Sequence, residues 1–327
     1  MAEIILGIGA SHGPPIEVPP ENWDVFREKD ETDRRFNYQA LLKRAPKDIA
    51  SKITLDRWRE YYAAIQQGLA QLEDKLASAA ADVIVIICND QREMFGAANT
   101  PMFAVYAGKD FKSTPRRTGD DVPQWVIQST QRRDFERSYP VDQALARHLV
   151  AKLIDDDFDI AVCEGMPEGV GMGHGAMFLY ERLLAADKVV PVVPVIINTF
   201  YPPNQAPIRR CYRLGKSIRG AISSFAPAKR VAIVCSGGLS HFIMDEELDR
   251  RMLDAMQRKD VEAIMALPQE RMVQGTSELR NWITAAGSLE PLKMTLLNYI
   301  QAPRTLAATG LAFGFAYWEQ DNAFGRQ

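Results

Sequence analysis

Gly7-Ile8-Gly9-Ala10-Ser11-His12-Gly13-Pro14 decides how this chain is to be read. An apolar run, Ile4–Ile8, ends in small residues and delivers a histidine into a turn closed by glycine and proline. The same grammar returns after the run Val231–Cys235, in Ser236-Gly237-Gly238-Leu239-Ser240-His241. A third histidine sits in Gly171-Met172-Gly173-His174-Gly175. Glycines let the backbone approach a ligand closely, and the ligand crevice of an open α/β sheet lies at the carboxyl ends of its strands. The chain has only four histidines, so three at such positions form a pattern. The fourth, His148, falls between Leu145 and Leu149 on a predicted helix and reads as an ordinary packed or surface residue.

Working outward, short apolar runs alternate with segments of helical period, the signature of an α/β layered fold. Strands are predicted at Ile4–Ile8, Val83–Cys88, Met102–Tyr106, Ile160–Cys163, Val192–Ile197, Val231–Cys235 and Leu311–Tyr317. A long insert, about residues 14–80, separates the first two. Its later half places Leu55, Trp58, Tyr62, Ile65, Leu69, Leu72 and Leu76 on one helical stripe, with Thr54 as N-cap. Its first half, Pro14–Ala50, begins beside His12 and is expected to cap the crevice. Further helices are predicted at 141–154, 208–224, 246–256 and 261–265. The polar stretch Phe111–Pro140 reads as an exposed excursion. No linker or repeat divides the sequence, so residues 1–327 are expected to form one catalytic domain.

Composition narrows the function. A net charge of −3 over 327 residues, with both signs interspersed, offers no basic stripe for nucleic acid. The longest apolar stretch, Val189–Ile197, is far short of the roughly 20 residues of a membrane span. The N-terminus lacks a signal-peptide pattern. Four unpaired-looking cysteines (Cys88, Cys163, Cys211 and Cys235) fit a reducing compartment, so a cytoplasmic location is expected. No Gly-x-Gly-x-x-Gly precedes a helix, and nicotinamide or flavin is not indicated.

Other candidate site residues follow from position. Glu247 opens the helix after the His241 turn, although a carboxylate there also suits the helix dipole. Asn198 and Tyr201, past the strand ending near Ile197, are candidate pocket-lining residues, or else turn formers ahead of Pro202-Pro203. Arg116, Arg117, Arg209 and Arg210 could meet a carboxylate, with solvated surface as the simpler reading.

The order strand–Ser11-His12, strand–Asn89-Asp90, Gly173-His174-Gly175, Gly237-Gly238-Leu239-Ser240-His241, then Glu247-Leu248-Asp249 resembles the catalytic subunits of class III extradiol ring-cleavage dioxygenases, the protocatechuate 4,5-dioxygenase type. The likeness runs from Gly7 to about Trp318. It implies a three-layer αβα fold around a central mixed sheet. It also implies a ferrous ion held by two histidines and a glutamate, with open positions for a catechol-type substrate and dioxygen. By the resemblance, His12 is a metal ligand, Glu247 the carboxylate ligand and His174 a catalytic acid/base. His241 is a second catalytic residue that orients ligands or hydrogen-bonds substrate. A homodimer or higher homo-oligomer is expected.

One position departs from that pattern. Where the second histidine ligand is expected, this chain has Gln91, whose amide oxygen is a poorer ligand for Fe(II). Either Gln91 ligates, or Asp90 or Glu93 replaces it, or the site uses Mn, Zn or no metal. The leading function is extradiol-type cleavage of a catechol-, gallate- or aminophenol-like compound by dioxygen. The alternatives are a non-oxidative hydrolase or lyase acting on an aromatic-derived keto acid, and an interaction protein that keeps only the fold.

Overall fold

The computed structural model describes residues 1–185 and 187–321. In chain order its principal elements are β1 (Glu3–Ala10), α1 (Asp24–Glu31), α2 (Leu55–Ala79), β2 (Val83–Asn89), β3 (Phe103–Tyr106), α3 (Gln143–Asp155), β4 (Ala161–Cys163) and β5 (Val192–Ile197). There follow α4 (Ile208–Ser224), β6 (Arg230–Ser236), β7 (His241–Ile243), α5 (Glu246–Gln257), α6 (Leu279–Ser288), β8 (Lys293–Pro303) and β9 (Thr309–Glu319). Nine strands form one mixed sheet in the order β8-β9-β1-β6-β2-β5-β3-β4, with β7 paired to β9.

The centre of the sheet is parallel, and the middles of its strands are apolar. β1 pairs with β6, β6 with β2, and β2 with β5, all parallel. Val83–Ile87, Val231–Cys235 and Val192–Val193 are buried to within 1% of full enclosure, as required of strands covered on both faces. Antiparallel pairing with β9 completes one side of β1, and antiparallel β3 continues the sheet beyond β5. All seven predicted strands are present, with boundaries shifted by a residue or two. The expected α/β architecture with a mixed sheet is therefore the observed one.

Helix α2 starts where Thr54 accepts a hydrogen bond from Arg57 N–H. Its buried residues, Trp58, Ile65, Leu69, Leu72 and Leu76, belong to the expected stripe, of which Tyr62 is half-buried and Leu55 exposed. Gly68 is on the same face because any side chain there would enter the Phe315 ring. Four of these elements, α1, β7, β8 and α6, have no counterpart in the expected set. Strand β8 is an edge strand with many half-buried residues, so its alternation is weak. Helix α6 is buried at every position from Leu279 to Ser288, and its polar residues Arg280, Asn281, Thr284 and Ser288 bond inside the protein rather than facing solvent.

The segment after His12 is fixed rather than loose. Arg182 donates to Ile16 O and Glu17, Gln66 donates to Ile16 O, and Trp23 Nε1 donates to Val18 O at 2.9 Å. Asp30, at the end of α1, is fully buried and receives two 2.7 Å bonds from Arg304 and one from Thr309. This pair pins α1 to the loop that joins β8 and β9. Removing one member strands the other's charge. Asp30→Ala is expected to cost about 3–5 kcal/mol of folding free energy, measured by urea denaturation.

Candidate active site at the carboxyl ends of the central strands

Strands β1, β6 and β2 are neighbours, and their carboxyl ends supply the site. His12 follows β1, Gln91 and Glu93 follow β2, and Gly238 follows β6. Register sets Ala10 beside Ser236, so the chain just past β1 meets the end of β6. His12 Nδ1 accordingly hydrogen-bonds Ser236 Oγ at 2.8 Å. Its other ring nitrogen, Nε2, is buried, makes no hydrogen bond, and lies 3.4 Å from Glu278 Oε2.

Glu278 immediately precedes α6 and is 1% exposed. Asn89 Nδ2 and Gln91 Nε2 donate to its Oε1 at 3.1 and 3.0 Å, and Gly238 N–H donates to Oε2 at 2.6 Å. Burial opposes its ionisation. The imidazoles of His12, His241 and His174 overcome that and hold the carboxyl well below the usual carboxylate range.

His174 completes the cluster. Its ring is edge-on to that of His12, with centroids 4.8 Å apart. Glu93 accepts from the His174 backbone N–H at 2.9 Å and meets its Nδ1 at 2.8 Å. Burial disfavours charge on this ring, but Glu93 outweighs burial and raises its pKa to about 9. Gly173 is required here, because a Cβ would sit 2.4 Å from Glu93 Oε2. One ligand atom from each of His12, His174 and Glu278 lies within 4.8 Å of the others, a possible metal site. Both histidines are held at Nδ1, which leaves Nε2 to face inward, the arrangement in which outer partners orient ligand rings. The donor set and the orphaned Nε2 of His12 fit a divalent metal.

His241 stands beside this cluster. Its Nδ1 donates to Leu239 O at 2.7 Å, so the proton is on Nδ1 and Nε2 is a free acceptor. Burial lowers its pKa despite the pull of Glu278, which favours the neutral ring. Ser240 before it is clamped by Asp249, whose carboxyl receives Ser240 N–H, Ser240 O–H and Tyr299 O–H. Burial, only partly offset by those bonds, pushes Asp249 up to about 6.

These four residues open into a cavity of about 950 Å³. One wall comes from the segment after His12, with Phe26, Lys29 and Arg35. The other comes from the 114–135 stretch, with Trp125 and Arg116. The segment beginning at Pro14 thus covers the crevice as expected. The stretch 111–140 is more than an exposed excursion, because its inner side lines the cavity.

Several expected site residues are elsewhere. Glu247 is in the first turn of α5 with its side chain 69% exposed, paired to Arg271 Nη1 at 2.8 Å. The helical period turns Leu248 and Asp249 inward instead, so the carboxylate among the histidines is Glu278, not Glu247. Asn198 does not line the cavity. Its amide donates to Tyr201 O and Asn204 O, and its oxygen accepts from Tyr201 N–H. Tyr201 packs under Arg92. Both build the turn. Gln91 does line the cavity, as a donor to Glu278. Asp90 is occupied by the backbone N–H groups of Arg92, Met94 and Phe95, while Glu93 serves His174. His148 bonds Ala221 O and Ser224 Oγ, a packing role as expected.

The mixed α/β sheet and the His-His-Glu cluster at its rim define a protein with a metal-site-like centre at its strand ends. The chain belongs to the family of catalytic LigB subunits of aromatic ring-opening dioxygenases, which matches residues 56–314. That segment includes Gln91, Glu93, His174, His241 and Glu278, while His12 precedes it. Among similar proteins, gallate dioxygenase of Pseudomonas putida is 34% identical over 122 residues, 35% of this chain and 34% of that protein. A 2,3-dihydroxyphenylpropionate/2,3-dihydroxicinnamic acid 1,2-dioxygenase of Dechloromonas aromatica is 35% identical over 101 residues, 31% of this chain and 30% of that protein. Its counterpart in Cupriavidus necator is 26% identical over 186 residues, 56% and 50% of the two chains. The matches to the first two thus span under two-fifths of those relatives' length.

The ring of His241 lies between Gly238 and Gly275, where an added Cβ would fall 2.5 Å and 2.1 Å from ring carbons. Gly275→Ala is therefore expected to displace this imidazole and cost about 1–3 kcal/mol. Urea denaturation gives the stability change, and the His241 ring signals in an NMR spectrum report the displacement.

Proposed function

We propose that this protein is a metal-dependent extradiol-type dioxygenase that opens the ring of a hydroxylated aromatic compound. The observation that carries the reading is the cluster of His12, His174 and Glu278, with both imidazoles anchored at Nδ1 and the carboxylate held ionised. Family membership supports it, as do the ring-cleaving relatives whose names specify gallate and dihydroxyphenylpropionate. His12, His174 and Glu278 would hold a divalent metal, with Fe(II) as the ion that suits dioxygen chemistry and two-nitrogen, one-carboxylate ligation. When bound, ferrous iron supplies the redox reactivity that lets dioxygen add to an aromatic ring.

The protein's own residues divide the remaining work. His241 Nε2 is an unprotonated acceptor facing the cavity, suited to take a proton from a substrate hydroxyl and return it later. Gln91 fixes Glu278 through Oε1, so the amide at the position of the missing histidine orients the carboxylate, and His174 supplies the second nitrogen. The resemblance had given His174 the proton-transfer role, but the Glu93 contact supports the ligand role instead. The two cavity walls limit water around the reacting ring. Both atoms of dioxygen enter the product as one ring carbon–carbon bond breaks, so no external reductant is needed.

The same reading takes residues 1–327 as one catalytic domain with residues 14–80 as its helical insert. All four cysteines are free, which supports a cytoplasmic setting. Among the described residues no helix is long and apolar enough to cross a membrane.

The test is to load the purified protein with ferrous iron anaerobically and then admit ¹⁸O₂ with gallate, protocatechuate or 2,3-dihydroxyphenylpropionate. Oxygen uptake matching ring opening, with two labelled atoms per product, is the expected result. Absence of uptake across that panel overturns the reading. Glu278→Gln is expected to lower iron affinity by at least about tenfold, a minimum set by losses seen for outer-shell changes, measured by metal analysis after dialysis.

A further inference from the structure

Three cations meet at the cavity wall around the Phe242 ring, and only two have carboxylates of their own. Lys29 Nζ is 4.4 Å from the ring centroid, Arg35 Cζ 4.3 Å and Arg304 Cζ 5.6 Å. Arg304 is satisfied by Asp30 through two bonds. Arg35 is chelated by Asp33, with Nε at 2.9 and 3.0 Å from its oxygens. Lys29 has no hydrogen-bond acceptor or ion-pair partner among the described residues. Its ammonium group faces the same cavity as His12, His174, His241 and Glu278. Trp125, 5.8 Å from Lys29 Nζ, closes the other side.

An unpaired ammonium in this setting is costly. Burial and the nearby Arg304 and Arg35 lower the Lys29 pKa to about 8, with Asp30 and Asp33 only partly opposing them. Elsewhere along the cavity Arg182 pairs with Glu17 and Arg133 with Glu181, while Arg116 stacks on Phe135 on the opposite wall. Around Phe242 three cations face two carboxylates, and one positive charge is left over.

We propose that Lys29 is the specificity-determining anion anchor of this cavity, binding the carboxylate of an aromatic acid whose ring lies along Phe242 and Trp125 toward the histidine cluster. A single carboxylate completes the charge balance around Phe242. Lys29 belongs to α1, outside the family-matched residues 56–314, so this chain's own insert supplies the anchor. The inference deepens the ring-cleavage reading and rests on it for the orientation of the ring.

The experiment separates the two. Benzoate and 3-phenylpropionate carry the charge but no ring hydroxyl, and benzamide and 3-phenylpropanamide are their neutral counterparts. Calorimetric titration of the metal-free full-length protein with each pair gives an acid-over-amide ratio that needs no ring opening. The expected ratio is about 10- to 100-fold, the range of a charge-assisted bond. Lys29→Met is expected to collapse that ratio toward unity and Lys29→Arg to restore most of it, with thermal denaturation showing that both variants are folded. A ratio near unity in the unaltered protein, or one that Lys29→Met leaves in place, overturns the anchor. Failure of ring cleavage appears separately, as absent oxygen uptake with an intact acid preference, and that outcome still supports the anchor.

Discussion

A carboxylate kept ionised while almost fully buried is the constraint around which this structure is organised. Glu278 is almost entirely enclosed, and an enclosed charge survives only when hydrogen bonds and opposite charge replace its hydration. Its partners come from separate elements: Asn89 and Gln91 from the end of β2, Gly238 from the end of β6, and His12 from the end of β1. The ends of three parallel strands must therefore converge on the start of α6. Asn281 on that helix strengthens the junction by donating to Asn89 Oδ1 and Ser236 O. The polar centre and the sheet register are two aspects of one requirement.

The rigid centre contrasts with the way its surroundings are built. The cavity walls come from loop-rich segments between sheet elements, as expected where a scaffold positions variable binding surfaces. These walls are not soft throughout. The buried Asp30–Arg304 pair and the contacts of Arg182 with Glu17 and Ile16 fasten the first wall at two points. Phe26 and Trp125, 5.9 Å apart, bring the two walls together. A large, partly apolar chamber over a charged floor is well suited to holding an aromatic ring while isolating its polar groups.

Much of this arrangement was legible in the sequence. The parallel strands announce themselves because strands covered on both faces must be apolar at every position, and Val83–Cys88 and Val231–Cys235 are. The histidines were legible because glycines flank them for steric reasons that the structure makes plain at Gly173 and Gly238. The carboxylate was not. Glu247 and Glu278 both stand at helix starts, and local sequence does not tell an acid that complements a helix dipole from one that faces inward. The distinguishing fact is that α6 is buried on every side, so its polar residues, Arg280 and Asn281 among them, meet partners inside the protein. A ten-residue helix whose polar side turns inward does not announce itself as a surface helix, which hid the element that carries Glu278. Asn198 and Tyr201 misled for a different reason: an asparagine ahead of two prolines meets the needs of its own turn before any ligand's. Gln91 marked the departure from the family pattern, but its partner could be found only from coordinates.

His12 and α1 are consecutive along the backbone, joined by a short connector that Arg182, Gln66 and Trp23 brace. The cap is thus no separate flap. It is a continuation of the strand that bears a central imidazole, and a stiff strut transmits displacement instead of absorbing it. Strain placed on the outer wall by a guest molecule will be felt at the inner ring through covalent bonds, so the geometry of the centre depends on what fills the chamber above it.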